Sequence, residues 1–332
     1  MRLAITGGSG SLGRALLTRF TQTSAERLVT FSRDESKRAA LQKDFGWHPG
    51  VRIFAGDIRD GEWLHDLFHE CDVVVHAAAR KVVSAQPDEA REMHFTNVIG
   101  TQNVINAARR AGVRQLLFIS SDKAVRPENC YGITKALAEY LVINANARAK
   151  PQGLRLSVLR YGNVLGSTGS VLKAWWDLAQ QRKPFHLSDP AMTRFWLTLD
   201  RAVDLVQQAL TEMRGGEIFV PDLPAAPLTV LAQALGADEL RYDVLGIRPG
   251  GEKLHEELLS AAEVRRTVRR NGWFIVPPYQ SDAMWDNRPW LGERLPEDFT
   301  YRSDTWVRQL DVVQMTELVK AAMVDQHEGA KV

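Results

Sequence analysis

Four glycines stand within seven residues near the start of the chain, at Gly7, Gly8, Gly10 and Gly13. They follow a short apolar run at 2–6 and precede an amphipathic stretch that begins near Arg14. Glycine permits a tight turn between strand and helix and the close approach of backbone to a pyrophosphate, whose charge the amides of the helix N-terminus then meet. The string predicts a dinucleotide-binding βα unit. An ordinary glycine-rich turn is the alternative.

Short β-branched runs alternate with longer amphipathic stretches in the first half of the chain, which is typical of repeated βα units. The predicted strands are 2–6, 27–31, 51–55, 72–76, 115–120 and 156–160. The alternation stops near Gly162, where turn residues become frequent. We therefore expect an α/β fold with a doubly wound parallel sheet, of the Rossmann type, and a smaller C-terminal substrate lobe.

The same change of pattern predicts how the chain is divided. The expected units are a dinucleotide-binding domain at 1–165, to which 193–222 returns, and a substrate lobe at 166–192 and 223–332. Aromatic residues occur as a pair in this lobe, at Trp175 and Trp176. Trp285, Trp290 and Trp306 lie among many charges near the C-terminus and indicate a surface-wrapping tail, followed by a final helix near 312–323.

Composition argues against several kinds of partner. The chain has 332 residues, 45% of them apolar, and can bury one large core or two coupled ones. Its net charge of +2 gives no basic field for nucleic acid or an anionic membrane. No apolar run approaches the roughly 20 residues that span a bilayer. Two cysteines are too few for a disulfide framework. We expect a cytoplasmic protein without a metal site.

Ser32 and Arg33 follow the second predicted strand, where NAD-binding folds usually present an acidic residue to the ribose. A guanidinium and a hydroxyl suit a 2′-phosphate, and Lys37 adds a cation one turn later. We therefore expect NADP as the cofactor. A solvated surface arginine is the alternative for Arg33, and the adjacent Asp34 keeps NAD open.

Further cofactor contacts are expected after the next two strands. Asp57 and Ile58 lie in the turn after the third strand, where Asp57 either reaches the adenine or caps the turn. Small residues after the fourth strand let the cofactor lie against backbone. The candidate cofactor-binding residues are Gly7, Ser9, Gly10, Ser11, Leu12, Gly13, Ser32, Arg33, Lys37, Asp57, Ile58, Ala77, Ala78, Ala79, Tyr131 and Lys135.

Tyr131 and Lys135 stand four residues apart on a predicted helix, which puts a phenol and an ammonium on one face. Because a nearby positive charge favours the phenolate, such a tyrosine can take a hydroxyl proton near neutral pH. Alone, a tyrosine and a lysine at this spacing are mostly exposed surface residues without a catalytic role. Here they follow a glycine fingerprint and a strand that ends at Ser121. Asp122 and Lys123 come next, at the sheet edge where open α/β folds bind ligands. A solvated turn is the alternative for this pair.

In their order along the chain, these strings resemble the inverting UDP-N-acetylglucosamine 4,6-dehydratases. These form a branch of the extended short-chain dehydrogenase/reductase superfamily that acts in bacterial polysaccharide and flagellar-sugar biosynthesis. The likeness rests on FSRDE at Phe31, GDIRD at Gly56, HAAARK at His76, SSDKAVRP at Ser120, YGITK at Tyr131, RYGNVLGSTGSV at Arg160, MTRFWLTLD at Met192, GGEIFVP at Gly215 and GIRPGGEKLHEE at Gly246. The Asp-Lys pair separates the inverting branch from retaining sugar dehydratases.

The resemblance implies a role for each candidate catalytic residue. Tyr131, with Lys135 and Ser121, oxidises the sugar hydroxyl at carbon 4, and the ketone acidifies the proton on carbon 5. Lys123 removes that proton if desolvation lowers its pKa, and Asp122 protonates the hydroxyl that departs from carbon 6. Hydride then returns from NADPH to carbon 6, so the net reaction is loss of water.

The resemblance also implies a set of residues that bind the UDP-sugar. These are Lys81, Asn163, Arg194, Arg248 and Glu252. Guanidinium groups suit a diphosphate because they donate two parallel hydrogen bonds. The alternatives are a turn cap for Asn163, a pair with Asp189 or Asp200 for Arg194, and a helix-start carboxylate for Glu252.

Several positions depart from the family pattern. Ser121 replaces the usual threonine and keeps the hydroxyl. The family commonly carries a histidine where Val82 stands, so the sugar and the stereochemistry at carbon 5 stay open. GIRPGGEK has one extra glycine in the loop that carries Arg248. The resemblance further implies a homo-oligomer, with a hexamer as one form.

Two other kinds of function remain open from the sequence. A UDP-sugar 4-epimerase or a 5,6-dehydratase uses the same fold, and product mass distinguishes these outcomes. A non-catalytic NADP-sensing regulator shares the glycine fingerprint but has no need for Tyr131, Lys135, Asp122 and Lys123 together.

Overall fold

The computed structural model describes residues 1–83, 85–149, 152–236, 242–278 and 290–328. The strands are β1 (Arg2–Thr6), β2 (Arg27–Ser32), β3 (Val51–Ala55), β4 (Val73–His76), β5 (Gln115–Ile119), β6 (Arg155–Leu159), β7 (Asn163–Val164), β8 (Phe185–Leu187), β9 (Thr193–Leu197), β10 (Ile218–Pro221), β11 (Ala225–Pro227), β12 (Tyr242–Val244), β13 (Glu257–Leu259), β14 (Val268–Arg270), β15 (Trp273–Val276), β16 (Glu293–Arg294) and β17 (Tyr301–Arg302).

The helices lie between these strands and after them. They are α1 (Ser11–Thr21), α2 (Glu35–Phe45), α3 (Gly61–Phe68), α4 (Pro87–Met93), α5 (Gly100–Arg110), α6 (Cys130–Ala149), α7 (Val171–Gln180), α8 (Leu199–Glu212), α9 (Leu228–Ala234), α10 (Ala261–Val264) and α11 (Val312–Glu328). A π-helical turn occupies His94–Ile99, and a 3₁₀ turn occupies Asp122–Ala124.

The main sheet confirms the doubly wound parallel architecture. Its described strands run in the order β16-β14-β15-β10-β6-β5-β4-β1-β2-β3, and those from β10 to β3 are parallel. The chain leaves β1 for β2 on one side and later returns to β4 on the other. This reversal opens a crevice beyond the carboxyl ends of β1 and β4, where ligands bind in such sheets.

Local sequence explains where several helices begin. Asp34, Asp60 and Thr198 accept hydrogen bonds from backbone amides in the first turns of α2, α3 and α8. The helix after the glycine string begins at Ser11 instead of near Arg14, because Gly10 serves as its N-cap in extended conformation. The six predicted strands all form, with ends that differ by a single residue at most.

Later segments of the chain also enter the main sheet. β10 pairs with β6, and α8 packs beside α1, where Arg19 binds Asp204 at 2.7 Å. The expected boundary at 223 differs from the structure, because β14, β15 and β16 extend the same sheet in antiparallel pairing. The run WFIV of β15 is fully apolar and buried, so it suits a place beside β10.

A second, smaller core lies outside the main sheet. Buried apolar residues from α7, β8, β9, α9 and α11 form it, and the Trp175 ring stacks on Phe185 at 5.1 Å. The final helix predicted near 312–323 is confirmed as α11. None of the described helices is both long and apolar enough to cross a membrane.

The segment before α11 is more than a surface tail. Tyr301 is fully buried, and its hydroxyl donates to the Pro221 carbonyl and accepts from the Leu223 amide. Trp306 packs on Tyr301 with ring centroids 4.5 Å apart, and Trp290 packs edge-on against Phe219. The expected surface-wrapping tail is therefore corrected, because these rings complete the core beside β10. Trp285 lies outside the described residues.

Three buried ionic side chains join β6, α6 and α10. Arg160 donates to Glu139 at 2.6 and 3.1 Å and to Glu263 at 2.9 and 3.1 Å. Glu263 also closes a capping box with Ser260 at the start of α10. Burial raises the pKa of Glu263, but Arg160 outweighs burial and lowers it to about 2. This stabilisation is present above the ordinary carboxyl pKa and is lost as the pH falls toward 2.

Replacing Arg160 by alanine leaves Glu139 and Glu263 buried without their cation. We expect the free energy of unfolding to fall by about 3 to 5 kcal/mol, as measured by urea denaturation followed by circular dichroism. Arg110→Ala is the control, because it removes an exposed pair with Glu62. This control is expected to lose less than about 1 kcal/mol. Equal losses in the two variants contradict the role given to Arg160.

Candidate active site

The glycine string forms the turn that a dinucleotide requires. Gly7 has φ +75°, and a Cβ there would lie 2.8 Å from the Ala78 amide nitrogen. A Cβ at Gly13 would collide with the Gly7 carbonyl. Gly10 caps α1 with no side-chain hydrogen bond, so no side chain of the cap covers the amides of the first turn. The cradle fits a pyrophosphate, and Ser9, Ser11 and Leu12 lie partly exposed along it.

The carboxyl end of β2 carries cations. Asp34 accepts from the Lys37 amide at 3.0 Å and from the Ser36 hydroxyl at 2.7 Å, so its carboxylate is engaged as a helix cap. The Arg33 side chain is 45% exposed. Arg38, which sequence reasoning missed, donates to the carbonyls of Ser32 and Arg33. The Lys37 side chain is exposed, and Arg38 is the cation whose side chain contacts the carboxyl end of β2.

The turn after β3 places its acid among these cations. Asp57 accepts from the Arg59 side chain at 2.7 Å and lies 3.5 Å from Arg33. It also accepts from the Arg59 amide, as a turn-capping aspartate does. Burial raises the pKa of Asp57, but Arg59 and Arg33 outweigh it and lower the pKa. Ile58 is buried, Ala77 and Ala78 are half-buried, and Ala79 is exposed.

The candidate catalytic pair lies just beyond β5, in contact. Lys123 Nζ donates to Asp122 Oδ1 at 3.0 Å, and the Ser121 hydroxyl donates to the same oxygen at 2.7 Å. Asp122 is fully buried, whereas 26% of the Lys123 side chain is exposed. Within the described residues, Asp122 Oδ2 makes no hydrogen bond. The solvated turn considered for this pair is excluded by this burial.

A second carboxylate, Glu256, completes the cluster and was missed from the sequence. It lies 3.2 Å from Lys123, 3.3 Å from Lys253 and 3.8 Å from Arg194. Lys253 is itself buried and donates to the carbonyls of Asp122 and Val125. Glu256 was visible only as part of GIRPGGEKLHEE. Lys253 lies three residues away, but Lys123 and Arg194 come from distant parts of the chain, so local spacing alone does not mark the cluster.

Charges in this cluster set the pKa values of the pair. Burial raises the pKa of Asp122, and Glu256 adds to the rise, so that Lys123 opposes it without cancelling it. Burial alone lowers the pKa of Lys123, but Asp122 and Glu256 outweigh burial and the pKa lies above its ordinary value. Lys123 was expected to act as the base if desolvation lowered its pKa. In this arrangement desolvation does not lower it below the ordinary value.

Tyr131 and Lys135 lie near the start of α6, in different surroundings. Burial raises the pKa of Tyr131 to about 12, against the opposing effect of Lys123. Lys135 donates to the Ile119 carbonyl at 2.6 Å and lies over the Phe118 ring. Burial lowers the pKa of Lys135 to about 7, against Glu139. The ammonium that favours the phenolate is thus Lys123, since β5 supplies Lys135 with its own acceptor.

Four of the five expected substrate residues line one cleft beside the pair, namely Asn163, Arg194, Arg248 and Glu252. Asn163 accepts from Lys123 at 3.2 Å, so it is not a turn cap. Glu252 binds Arg248 and lies 3.7 Å from Arg194, which excludes the suggested pairing of Arg194 with Asp189 or Asp200. No helix begins at Glu252, so the helix-start alternative is wrong. The cleft also includes Glu128 and Asn129.

Lys81 lies in the loop after Ala79, close enough to Lys123 for the two charges to repel. Burial and then Lys123 lower the pKa of Lys81. The loop is fixed by Asn97, which bonds both the amide and the carbonyl of Arg80. No group of three or more His, Cys, Asp or Glu side chains within the described part of the chain is arranged to hold a metal ion.

Comparison with known proteins agrees with this geometry. The family described as polysaccharide biosynthesis protein matches residues 3–278. The UDP-N-acetylglucosamine 4,6-dehydratase (inverting) of Campylobacter jejuni is 36% identical over 329 residues, covering 95% of this chain and 98% of the relative. The UDP-glucose 4-epimerase of Rickettsia felis is 36% identical over 330 residues, covering 96% and 94%. The X-ray structure of Pen from Bacillus thuringiensis aligns with a TM-score of 0.87 at 30% identity, covering 96% and 97%.

Fold and site together define an enzyme of the extended short-chain dehydrogenase/reductase class. Its glycine cradle, its tyrosine and lysine on one helix and its acid-base pair all lie at the carboxyl edge of one parallel sheet. The chain belongs to the polysaccharide biosynthesis protein family, in which its inverting 4,6-dehydratase relatives are hydro-lyases. The family expected from the sequence motifs is confirmed.

A Gly13→Val variant tests the cradle. The added Cβ collides with the Gly7 carbonyl, so the turn must open and the amides of α1 move away from a bound pyrophosphate. We expect the affinity for the nicotinamide dinucleotide, measured by calorimetry, to fall about tenfold or more. Gly61→Ala is the control, because a Cβ at Gly61 meets its nearest atom at 3.6 Å. Unchanged binding in Gly13→Val refutes the cradle.

Proposed function

We propose that this enzyme is an inverting, NADP-dependent UDP-sugar 4,6-dehydratase. UDP-N-acetylglucosamine is the leading substrate, and the product is a 4-keto-6-deoxy sugar. The observation that carries the proposal is the hydrogen-bonded Asp122 and Lys123 pair beside Tyr131. Elimination of water needs an acid and a base on the same sugar, and this pair supplies both.

The residues at the sheet edge fit the cofactor that the proposal needs. The turn at Gly7 and Gly13 would hold the pyrophosphate, and the chemistry that NADP would supply when bound is reversible hydride transfer with the sugar. Tyr131 takes the proton from the hydroxyl at carbon 4. The Lys123 ammonium lowers the cost of the phenolate, and Ser121 contributes a hydrogen bond.

Asp122 and Lys123 can become an acid and a base by moving a proton between them, without exchanging protons with solvent. Lys123 passes one proton to Asp122 across their 3.0 Å hydrogen bond, which leaves a neutral amine and a carboxylic acid. Burial favours this neutral form, whereas the attraction of the Asp122 and Glu256 carboxylates for the ammonium opposes it, so the neutral pair is the less populated form from which elimination proceeds. The amine then takes the proton from carbon 5. The acid gives its proton to the hydroxyl leaving carbon 6, and Asp122 Oδ2 has no competing hydrogen bond in the described structure. A proton returned to carbon 5, with hydride added at carbon 6, leaves the loss of one water as the net change.

The UDP portion of the substrate suits the arginine side of the cleft. Arg194 is buried and Arg248 is exposed at the rim, and the Glu252 carboxylate lies between them. Guanidinium groups meet a diphosphate with paired hydrogen bonds. Asn163 and Lys81 lie nearer to Lys123, so we assign them to the sugar end of the substrate.

A 4-epimerase is the second candidate, because the Rickettsia relatives carry that name. Epimerisation at carbon 4 inverts one centre by hydride transfer and needs no acid for a leaving hydroxyl. The Asp122 and Lys123 pair therefore favours dehydration. Incubation with a panel of UDP- and dTDP-sugars, followed by mass spectrometry, separates the two: dehydration removes one water, whereas an unchanged mass with a new sugar favours the epimerase.

Lys123→Ala removes the proposed base and leaves Tyr131 in place. We expect water loss to fall by about a hundredfold to ten-thousandfold, together with deuterium exchange from solvent into carbon 5. Calorimetry should show that UDP-sugar still binds. Lys43→Ala is the control, because Lys43 is an exposed lysine on α2. Dehydration at the parent rate in Lys123→Ala disproves the assignment.

The preference for NADP rests on the cations around β2. Among the described residues, the Arg33 guanidinium makes only long ion pairs, at 3.5 Å to Asp57 and 3.9 Å to Glu92, so it can turn toward a phosphate at little cost. Arg38 lies at the same strand end. Asp34 is the acidic residue that left NAD possible as the cofactor, and its carboxylate is engaged as the N-cap of α2. Homo-oligomer formation and cytoplasmic location stay predictions from the sequence.

Arg33→Asp should narrow or reverse the preference for NADP over NAD. Loss of a phosphate contact costs about 1.5 to 3 kcal/mol, which is roughly a tenfold or greater change in affinity. Titration of both cofactors measures the ratio. Arg52→Asp on β3 gives the same charge change away from this strand end, and its ratio should match the parent's. Equal affinities for both cofactors in the parent enzyme would overturn this reading.

A further inference from the structure

Glu256 is a buried carboxylate that the proposed acid-base chemistry leaves unused. It is 2% exposed and comes just before β13, whereas the pair it contacts follows β5. Its oxygens lie 3.2 Å from Lys123 Nζ and 3.3 Å from Lys253 Nζ. Arg194 approaches at 3.8 Å. One carboxylate thus has three cations around it, each from a different part of the chain.

We propose that Glu256 is a positioning residue for dehydration, which holds the Lys123 amine between two carboxylates and sets the point from which it reaches carbon 5. This inference rests on the dehydratase function proposed above. Asp122 lies 3.0 Å and Glu256 3.2 Å from the Lys123 ammonium nitrogen, which also donates to Asn163 at 3.2 Å. Asp122 precedes Lys123 directly, so it cannot alone fix the end of a long flexible side chain. The second carboxylate removes that freedom.

Lys253 and Arg194 give Glu256 its own support. Lys253 ties Glu256 to the 3₁₀ turn, because its ammonium also donates to the carbonyls of Asp122 and Val125. Arg194 is held by the carbonyls of Thr193 and Leu254. The Glu256 carboxylate is therefore fixed before a substrate enters.

The charges around Lys123 predict how its titration depends on Glu256. The titratable and charged groups that face it are Asp122, Glu256, Tyr131, Arg194 and Lys81. Burial raises the pKa of Glu256, but its three cations outweigh burial and lower it to about 2, so Glu256 stays ionised at any working pH. A permanent anion beside Lys123 raises the pH at which its amine becomes neutral.

Competitive acetylation measures that pH without any substrate. The protein is labelled with a trace of acetic anhydride at a series of pH values, and mass spectrometry reads each lysine, with exposed Lys43 as the internal reference. In the parent, Lys123 should become reactive at a higher pH than Lys43. In Glu256→Gln, which keeps the shape and removes the charge, its midpoint should move to lower pH by about one pH unit or more.

Glu257→Gln is the matched control, because Glu257 is the next residue and pairs instead with exposed Arg126. Its Lys123 midpoint and its dehydration rate should equal those of the parent. An unchanged Lys123 midpoint in Glu256→Gln overturns the proposal, whatever the enzyme does to sugars. The labelling result is thus independent of the proposed function, which fails separately if the parent removes no water.

Glu256→Asp separates position from charge and covers the case in which Glu256→Gln does not fold. The carboxylate remains but its reach is one methylene shorter, so the Lys123 midpoint should stay near that of the parent. Dehydration should fall about tenfold or more at every pH, because the amine is displaced from carbon 5. In Glu256→Gln, by contrast, the rising limb of the pH profile should move to lower pH. Parent-like dehydration in Glu256→Asp refutes the positioning role.

Discussion

The buried ion group of Arg160, Glu139 and Glu263 joins the two chain segments from which the active site is built. Glu139 belongs to α6, which also carries Tyr131, and Glu263 caps the helix that follows the segment with Glu256. Arg160 also donates to the carbonyl of Leu258 within β13. The distance between the tyrosine side and the carboxylate side of the site is thus set by a contact outside the cleft. A fixed distance is what proton transfer to a single sugar carbon requires.

Charge balance gives the cleft its chemical character. Four carboxylates, Asp122, Glu128, Glu252 and Glu256, face five cations, Lys81, Lys123, Lys253, Arg194 and Arg248, which leaves one positive charge in excess among the described residues. Proton transfer from Lys123 to Asp122 neutralises one charge of each sign and leaves the excess unchanged. The site therefore keeps its attraction for an anionic diphosphate through the change from ion pair to acid and base. Binding and proton transfer use the same side chains without opposing each other.

The sequence predicted the parts of the molecule that depend on neighbours along the chain. The glycine string, the parallel strands, α11 and the adjacent Asp122 and Lys123 all follow from local spacing or periodicity. Glu256 was missed because Lys123 and Arg194 are distant from it in sequence and only packing brings them together. Arg38 was missed although its carbonyl partners lie five and six residues away, because no motif marks a side chain that folds back onto the preceding strand end. The pKa of Lys123 was outside the reach of sequence for the same reason, since its sign depends on a second carboxylate. Antiparallel β14 to β16 were assigned to the smaller lobe because short strands carry little periodic signal.

The burial of Tyr301 bears on how the protein is made in the cell. Its ring fills the core beside β10, and its hydroxyl bonds the backbone on either side of Asp222. During synthesis, β10 leaves the ribosomal exit tunnel before residue 301 does. Until then Tyr301 does not cover the apolar faces of β10 and β15, and the incomplete chain exposes an apolar sheet surface that is prone to aggregate. Completion of this core therefore waits until residue 301 has been made, and the chain is open to aggregation through this sheet surface until then.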